Sequence, residues 1–167
     1  NTHNYIAGIY TFYIKDYEKA IEHYTKEIEL TPDAAAFAYR NIADIYTNNL
    51  VDYDKALENY TKAIEVQPDY PYNYEWRGDF YRDKLEDYDK ALADYNKGLE
   101  IDPEYASLYW RLGRLYYNYN PPKFDLALTN FLKVLDLDPT YENTHNYIAG
   151  IYTFYIKDYE KAIEHYT

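Results

Sequence analysis

Apolar and polar positions along this chain trace two amphipathic stripes in succession. In YRNIADIYTNN, residues 39 to 49, Tyr39, Ile42, Ala43 and Tyr46 fall at i, i+3, i+4 and i+7, the stripe of a helix with one buried face. In DYDKALENYTKAIEVQP, residues 52 to 68, Tyr53, Ala56, Leu57, Tyr60, Ala63 and Ile64 carry the same spacing until a proline closes it. Helix, short turn, helix and proline predict one helical hairpin. A lone hairpin cannot bury its apolar face, so the pattern also predicts neighbours of the same kind stacked on it.

Those neighbours are visible as an internal period. The tetrads EKAI, DKAL, DKAL, DLAL and EKAI place Ala20, Ala56, Ala91, Ala127 and Ala162 at steps of 36, 35, 36 and 35 residues, and Pro32, Pro68, Pro103 and Pro139 come after the first four. The chain is expected to form a single array over 1–167, with repeats at about 1–35, 36–70, 71–105 and 106–141 and a partial fifth at 142–167. Residues 1–25, NTHNYIAGIYTFYIKDYEKAIEHYT, recur letter for letter as residues 143–167, displaced by 142 residues, which is four whole repeats. Shared fold constraints do not conserve surface positions over such a length, so the segment is a copy.

The residues at fixed phase make the chain resemble the tetratricopeptide repeat (TPR) family. The small residue of the first helix is Ala7, Ala43, Gly78, Gly113 and Ala149, followed three positions on by Tyr10, Tyr46, Tyr81, Tyr116 and Tyr152. The second helix supplies Tyr17, Tyr53, Tyr88, Phe124 and Tyr159, then the five alanines, then Tyr24, Tyr60, Tyr95, Phe131 and Tyr166. This resemblance spans the chain and implies an all-α fold, a right-handed α-solenoid of stacked antiparallel helix hairpins. Small residues stand where helices cross closely, and aromatic rings fill the gaps. The turn between the helices carries one residue more than the family's usual unit, and two more in the fourth repeat, where Pro121 and Pro122 stop a helix. Glu27 and Gly98 stand in a column where Ala63 and Val134 fit better, which predicts looser packing at those two places.

Composition narrows the function classes. The absence of cysteine excludes disulfides, thiolate metal sites and cysteine nucleophiles, and leaves the compartment open between cytoplasmic and secreted or cell-surface. A formal charge of −12 repels phosphate backbones and favours solubility and basic partners, so no nucleic acid is expected. No stretch of about 20 apolar residues is present, so no membrane span is expected either. Tyrosine is abundant at 26 residues, and the repeat phase assigns many of these rings to the core. The histidines form two copied pairs, His3 with His145 and His23 with His165, without metal-like spacing along one helix. With no phosphate-cradling glycine loop, nucleophile elbow or calcium loop, no catalytic, cofactor or metal site is expected. Asn59-Tyr60-Thr61 is a glycosylation sequon, relevant only to a secreted protein. The missing initiator Met suggests a fragment or a processed chain.

Surface recognition remains. The resemblance implies a concave groove lined by the first helices that takes an extended peptide or a partner helix. Its residues would be Asn4, Gly8, Thr11 and Phe12 in the first repeat and Phe37, Arg40, Asp44 and Asn48 in the second. The third would contribute Tyr72, Glu75, Asp79 and Arg82, and the fourth Trp110, Arg114, Tyr117 and Asn118. Aromatics beside arginines and carboxylates supply both anchors and orientation. The two-carboxylate clamp of chaperone-binding family members is not matched. One window keeps only Asn41, the next only Arg40 and Arg111, so a chaperone tail is not the expected ligand.

Three functions are compatible with this pattern: a non-catalytic scaffold for protein partners that self-associates head to tail; a structural subunit or segment of a long array or filament with a 142-residue unit; and a helical-repeat RNA reader, which the acidity disfavours. The copied ends carry the self-association. The segment that succeeds the fourth repeat is identical to the start of the chain, so the fourth repeat is expected to pack on the surface that the first repeat presents. Such a contact is heterologous and does not close, and permits growth or hairpin swapping. The residues expected at it are Ile6, Tyr10, Leu112, Tyr116, Ile148 and Tyr152, with the partial fifth repeat leaving apolar surface for a neighbour.

Overall fold

The computed structural model describes residues 2–141 and 143–166, and among these every regular element is helical. The chain divides into two compact units, Asn1–Ile101 and Asp102–Thr167. The first holds α1 (Thr2–Ile9), α2 (Tyr17–Leu30), α3 (Ala36–Ile45), α4 (Tyr53–Val66), α5 (Pro71–Lys84) and α6 (Tyr88–Ile101). The second holds α7 (Ala106–Tyr117), α8 (Phe124–Leu137), α9 (Thr144–Ile151) and α10 (Tyr159–Tyr166). Each odd-numbered helix pairs with the helix after it, and α2 packs on α3, α4 on α5 and α8 on α9. No helix of the described residues is long and apolar enough to cross a membrane.

The turn inside each hairpin explains the extra residue of the repeat. Lys15, Val51, Glu86 and Lys157 adopt left-handed backbone, with φ of 61, 55, 52 and 64°. The next residue is always aspartate. The carboxylates of Asp16, Asp52, Asp87 and Asp158 each accept from the backbone N–H three residues on, at 3.1 Å, capping the second helix. The amides of the same aspartates donate back to the carbonyls of Tyr10, Tyr46, Tyr81 and Tyr152 at 2.9–3.1 Å. In three of these turns the first helix widens into a π turn, at Tyr10–Ile14, Tyr46–Leu50 and Tyr152–Ile156, which takes up the added residue without breaking the ladder. In the fourth repeat Lys123 makes the same bond to the Tyr116 carbonyl at 2.9 Å, across one residue more. The step from Ala20 to Ala56 is lengthened elsewhere, by a 3₁₀ turn at Pro32–Ala34 between hairpins.

Packing follows the small-residue columns. Ala7, Ala43 and Ala149 are fully buried, as are Ala20, Ala56, Ala91 and Ala127. The closest approaches are at glycine: a Cβ at Gly78 would lie 2.5 Å from the ring of Tyr95, and one at Gly113 would lie 2.6 Å from the ring of Phe131. Arg77 of α5 forms a two-pronged ion pair with buried Asp94 of α6, Nε to Oδ2 at 2.8 Å and Nη2 to Oδ1 at 2.7 Å. Its remaining nitrogen reaches Thr61 of α4 at 3.3 Å. Asn73, also buried, donates to the carbonyls of Ala63 and Gln67 at 3.0 and 2.9 Å, closing the C-terminal end of α4. At the two places where looser packing is expected, Gly98 is buried, and Glu27 accepts from the Thr31 hydroxyl at 3.2 Å at the end of α2.

Substituting alanine at the glycines separates helix propensity from packing. Gly8→Ala meets open space, so it stabilises by about 0.5–1 kcal/mol. Gly78→Ala and Gly113→Ala push into ring atoms, and overpacking of about 1–3 kcal/mol outweighs the propensity gain. Thermal unfolding followed by circular dichroism should show the first variant melting above the wild type and the other two below it.

Candidate functional site

The open face of the first helices is organised by the core behind it. In the second and third repeats a buried second-helix tyrosine donates forward to an aspartate one position after the small residue: Tyr60 to Asp44 at 2.6 Å, and Tyr95 to Asp79 at 2.7 Å. Burial, and then the facing Asp44 carboxylate, push the Tyr60 hydroxyl well above the ordinary tyrosine range, so it stays a donor. In the fourth repeat the ring is Phe131, which has no hydroxyl, and the corresponding first-helix residue is Arg114.

In the first unit Arg40 is the centre of the face. Its guanidinium carbon lies 4.6 Å from the Trp76 ring centroid and 5.2 Å from that of Phe37, and Nη1 donates to Asp44 at 2.9 Å. Tyr70 and Tyr72 extend the aromatic surface, their rings 4.9 Å apart and each about 6 Å from Trp76. Thr11, Phe12, Arg40, Asp44 and Asn48 line one cleft of about 340 Å³, and Asp44, Asn48, Trp76 and Asp79 line an adjoining one of about 200 Å³. Arg82 is tied down by Asp79, Asp83 and the Tyr95 hydroxyl at 2.7–2.9 Å. Burial disfavours its charge, and the Asp83 hydrogen bonds with the Asp79 carboxylate more than offset this, so it stays cationic.

In the second unit Arg114 stacks on Trp110 at 4.7 Å, Tyr141 lies 6.0 Å from the same indole, and a cleft of about 500 Å³ opens between Trp110, Arg114, Tyr117, Asn143, Asn146 and Tyr147. Arg114 Nε and Trp110 Nε1 are buried without an acceptor among the described residues. Tyr117 is engaged edge-on by Phe124 and Tyr147, at 5.3 and 5.2 Å.

The expected groove residues therefore divide. Phe12, Phe37, Arg40, Asp44, Asn48, Tyr72 and Asp79 share the face of the first unit, and Thr11 does so with its hydroxyl turned back to the Ala7 carbonyl at 2.9 Å. Asn4 is half-buried, and Gly8 adds no side chain. Glu75, expected on this face, is buried at 4 % exposure, although Arg40 and Trp110 hold the same position relative to the small residue in their own repeats. Asn118 is exposed and caps the Arg114 carbonyl at 2.9 Å. Trp76, the best cation–π partner, was outside the expected set, as were Tyr70, Tyr141 and Tyr147. The i, i+4 spacing of Tyr72 with Trp76 was the available signal.

Leu112 belongs to the expected end-to-end set. It is buried, yet it does not join the cluster on which residues 143–166 sit, which is built on Ala127 and Phe131 with Tyr116, Tyr117, Phe124, Leu128 and Leu135 around them. Ile148 and Tyr152 do lie in that cluster.

The histidines are brought together across the hairpins, which spacing along one helix could not reveal. His3 and His23 meet through their Nδ1 atoms at 3.0 Å, as do His145 and His165. In each pair one Nδ1 donates to the other, and Tyr10 and Tyr152 stack on His23 and His165. No group of three or more metal-ligating side chains occurs among the described residues. Burial, and then the neighbouring His145, lower the pKa of His165. The unfolded chain binds this proton more readily, so the stability it confers is complete above the ordinary histidine range and is lost as pH falls toward the lowered value. Protection factors across residues 144–166, corrected for the intrinsic pH effect, should fall as pH drops below the ordinary histidine range, and His165→Gln should remove most of that loss.

Family models match two stretches of the chain: a "Tetratricopeptide repeat" over residues 38–70 and a "TPR repeat" over residues 84–119. No curated protein matches the sequence. Among solved structures, MamA 41-end from Desulfovibrio magneticus RS-1 superposes with a TM-score of 0.73 at 19% identity, covering 99% of this chain and 89% of that one. YrrB, described as a TPR protein with an unusual peptide-binding site, gives 0.67 at 23% identity over 98% and 80% of the two chains. The first TPR of Spaghetti (RPAP3), bound to the HSP90 peptide SRMEEVD, gives 0.61 at 24% identity over 71% and 90%. At these identities the likeness is one of fold.

Proposed function

Because this is a tetratricopeptide repeat protein, we propose that it is a non-catalytic scaffold that binds extended peptide segments of protein partners on the open face of its first helices. The observation that carries this reading is the arginine–tryptophan stack present in both units, Arg40 on Trp76 and Arg114 on Trp110, each beside an open cleft. A stacked guanidinium offers planar donors to a backbone carbonyl or carboxylate, while the indole takes an apolar side chain. Two fold neighbours are described as holding or binding peptides, which supports the class of ligand. The clamp residues expected for a chaperone tail are missing here, so the ligand differs from the one in the RPAP3 structure. A net charge of −12 favours peptides with basic residues flanking an aromatic or aliphatic anchor.

The chain's two tryptophans both belong to these sites, so indole fluorescence reports binding directly. Selection of a random displayed peptide library on the immobilised chain should enrich Lys/Arg-containing sequences with one large apolar residue. Trp76→Ala or Arg40→Ala should weaken the selected peptides about tenfold or more with helicity unchanged. Failure to enrich any peptide, or indifference to both substitutions, overturns the reading.

The scaffold is further proposed to self-associate head to tail, which the copied segments support. A second reading, a structural segment of a longer array with a 142-residue unit, rests on the same duplication. Light scattering across a concentration series should show mass rising above 20.1 kDa, and electron micrographs should show whether the products are discrete particles or filaments. A strict monomer at high concentration overturns the self-association.

A further inference from the structure

We propose that self-association proceeds by hairpin exchange: residues 1–25 of one copy take, on helix α8 of another, the seat held there by that copy's own residues 143–166. This inference rests on the self-association reading and gives it a surface and a mechanism.

The occupied form of the contact is already present in the structure. Ile148 and Ile151 of α9 are buried against Ala127 and Phe131 of α8, Tyr147 stacks on Phe131 at 4.9 Å, and Tyr155 reaches Phe124 at 4.8 Å. Each of these four hairpin residues has an identical counterpart 142 positions earlier: Ile6, Ile9, Tyr5 and Tyr13. Ile151 is 1 % exposed, whereas Ile9 is 48 % and Tyr5 77 % exposed. The N-terminal hairpin thus displays a face whose partner surface is known, down to the side chains. A second copy of this chain is the occupant, because it carries α8 in the form that receives that face.

The opposite faces show the reverse. Tyr24 of α2 is buried, in a cluster with Ala38, Ile42 and Ile45 of α3, while its counterpart Tyr166 is 58 % exposed and Ile163 is exposed as well. The first hairpin packs on α3 and exposes a face of α1, while the last packs on α8 and exposes a face of α10. Seating the first hairpin of one copy on α8 of another satisfies both faces of that hairpin at once.

The energetic difference between the two arrangements is one of order. The side chains meeting at α8 are the same in both, so the contact itself is matched. Residues 1–25 arrive already ordered by α3, whereas residues 143–166 depend on α8 for their order and regain conformational freedom on release. Lost translational and rotational freedom, and the high effective concentration of the tethered hairpin, oppose exchange. Concentration shifts the balance toward it. The contact joins different faces and does not close on itself, so exchange continues from copy to copy.

The test uses the full chain and one substitution placed in either copy of the duplicated segment, with sedimentation velocity as readout. Ile9→Asp changes an exposed side chain, so it leaves the fold intact and should weaken association about tenfold or more. Ile151→Asp loosens the intrachain cover of α8, so it should strengthen association by a similar factor. Hydrogen exchange on the associated wild type should show amides 5–14 gaining protection while those of 144–166 lose it. Association indifferent to Ile9→Asp, or protection gained at 5–14 without loss at 144–166, overturns exchange and leaves self-association standing. Absence of any larger species in both the wild type and Ile151→Asp overturns both. Should Ile151→Asp lose helicity, the Ile9→Asp result and the exchange pattern of the wild type decide between these outcomes.

Discussion

Everything in this chain depends on how closely an aromatic ring of the second helix can approach the small residue of the first. At Gly78 and Gly113 the approach leaves no room for a single carbon atom. That distance fixes where the ring ends, and the ring carries the polar pattern of the opposite face with it. Where the ring is Tyr60 or Tyr95, its hydroxyl emerges beside the open face and is met by Asp44 or Asp79. Where the ring is Phe131, no donor emerges, no aspartate waits for it, and Arg114 turns to Trp110. The recognition surface is in this sense the outer end of the core, with charge placed according to what packs behind it.

The same dependence explains what could be read in advance. The repeat period and both helices of the hairpin were legible because alanine columns and proline stops recur at fixed phase, and close helix crossing admits few alternatives at Ala20 or Ala56. The turn that carries the extra residue was legible too, but the conformation that accommodates it was not. A π turn at Tyr46–Leu50 satisfies the same local preferences as a longer loop, and the left-handed Val51 goes against them, since β-branched residues seldom take positive φ. Position within the repeat did not by itself fix burial: Arg40, Glu75 and Trp110 share one column, yet of these only Glu75 is buried. Glu75 and Trp76 differ by one step, and a step of roughly 100° separates a buried carboxylate from the indole that stacks on Arg40. The histidine contacts were hidden for another reason: His3 and His23 are 20 residues apart, and only hairpin closure brings them together.

The duplicated segment acts as an internal control on what is local and what is not. Both copies form the same helix, the same π turn, the same left-handed lysine at 15 and 157, the same aspartate cap and the same histidine contact. Hairpin geometry is therefore dictated within about 25 residues. Burial is not, because the two copies cover opposite faces. Stability in such an array is a sum over hairpins and the contacts between successive hairpins, and the two terms are separately visible here.

This separation bears on how the proposed exchange would proceed between chains so acidic. A charge of −12 on each copy opposes approach at long range, yet at physiological salt that repulsion is screened over about 8 Å. The hairpin residues packed on the α8 cluster include Tyr147, Ile148, Ile151, Tyr152 and Tyr155, and not one of these is charged. The acidic residues of the duplicated hairpin, Asp16, Glu18 and Glu22, lie at the cap and along the second helix. The net charge thus sets the rate of encounter and its salt dependence. In the proposed exchange, once two surfaces are within contact distance, the apolar face with its matching seat would determine the outcome, with side chains that the chain already uses to hold itself together.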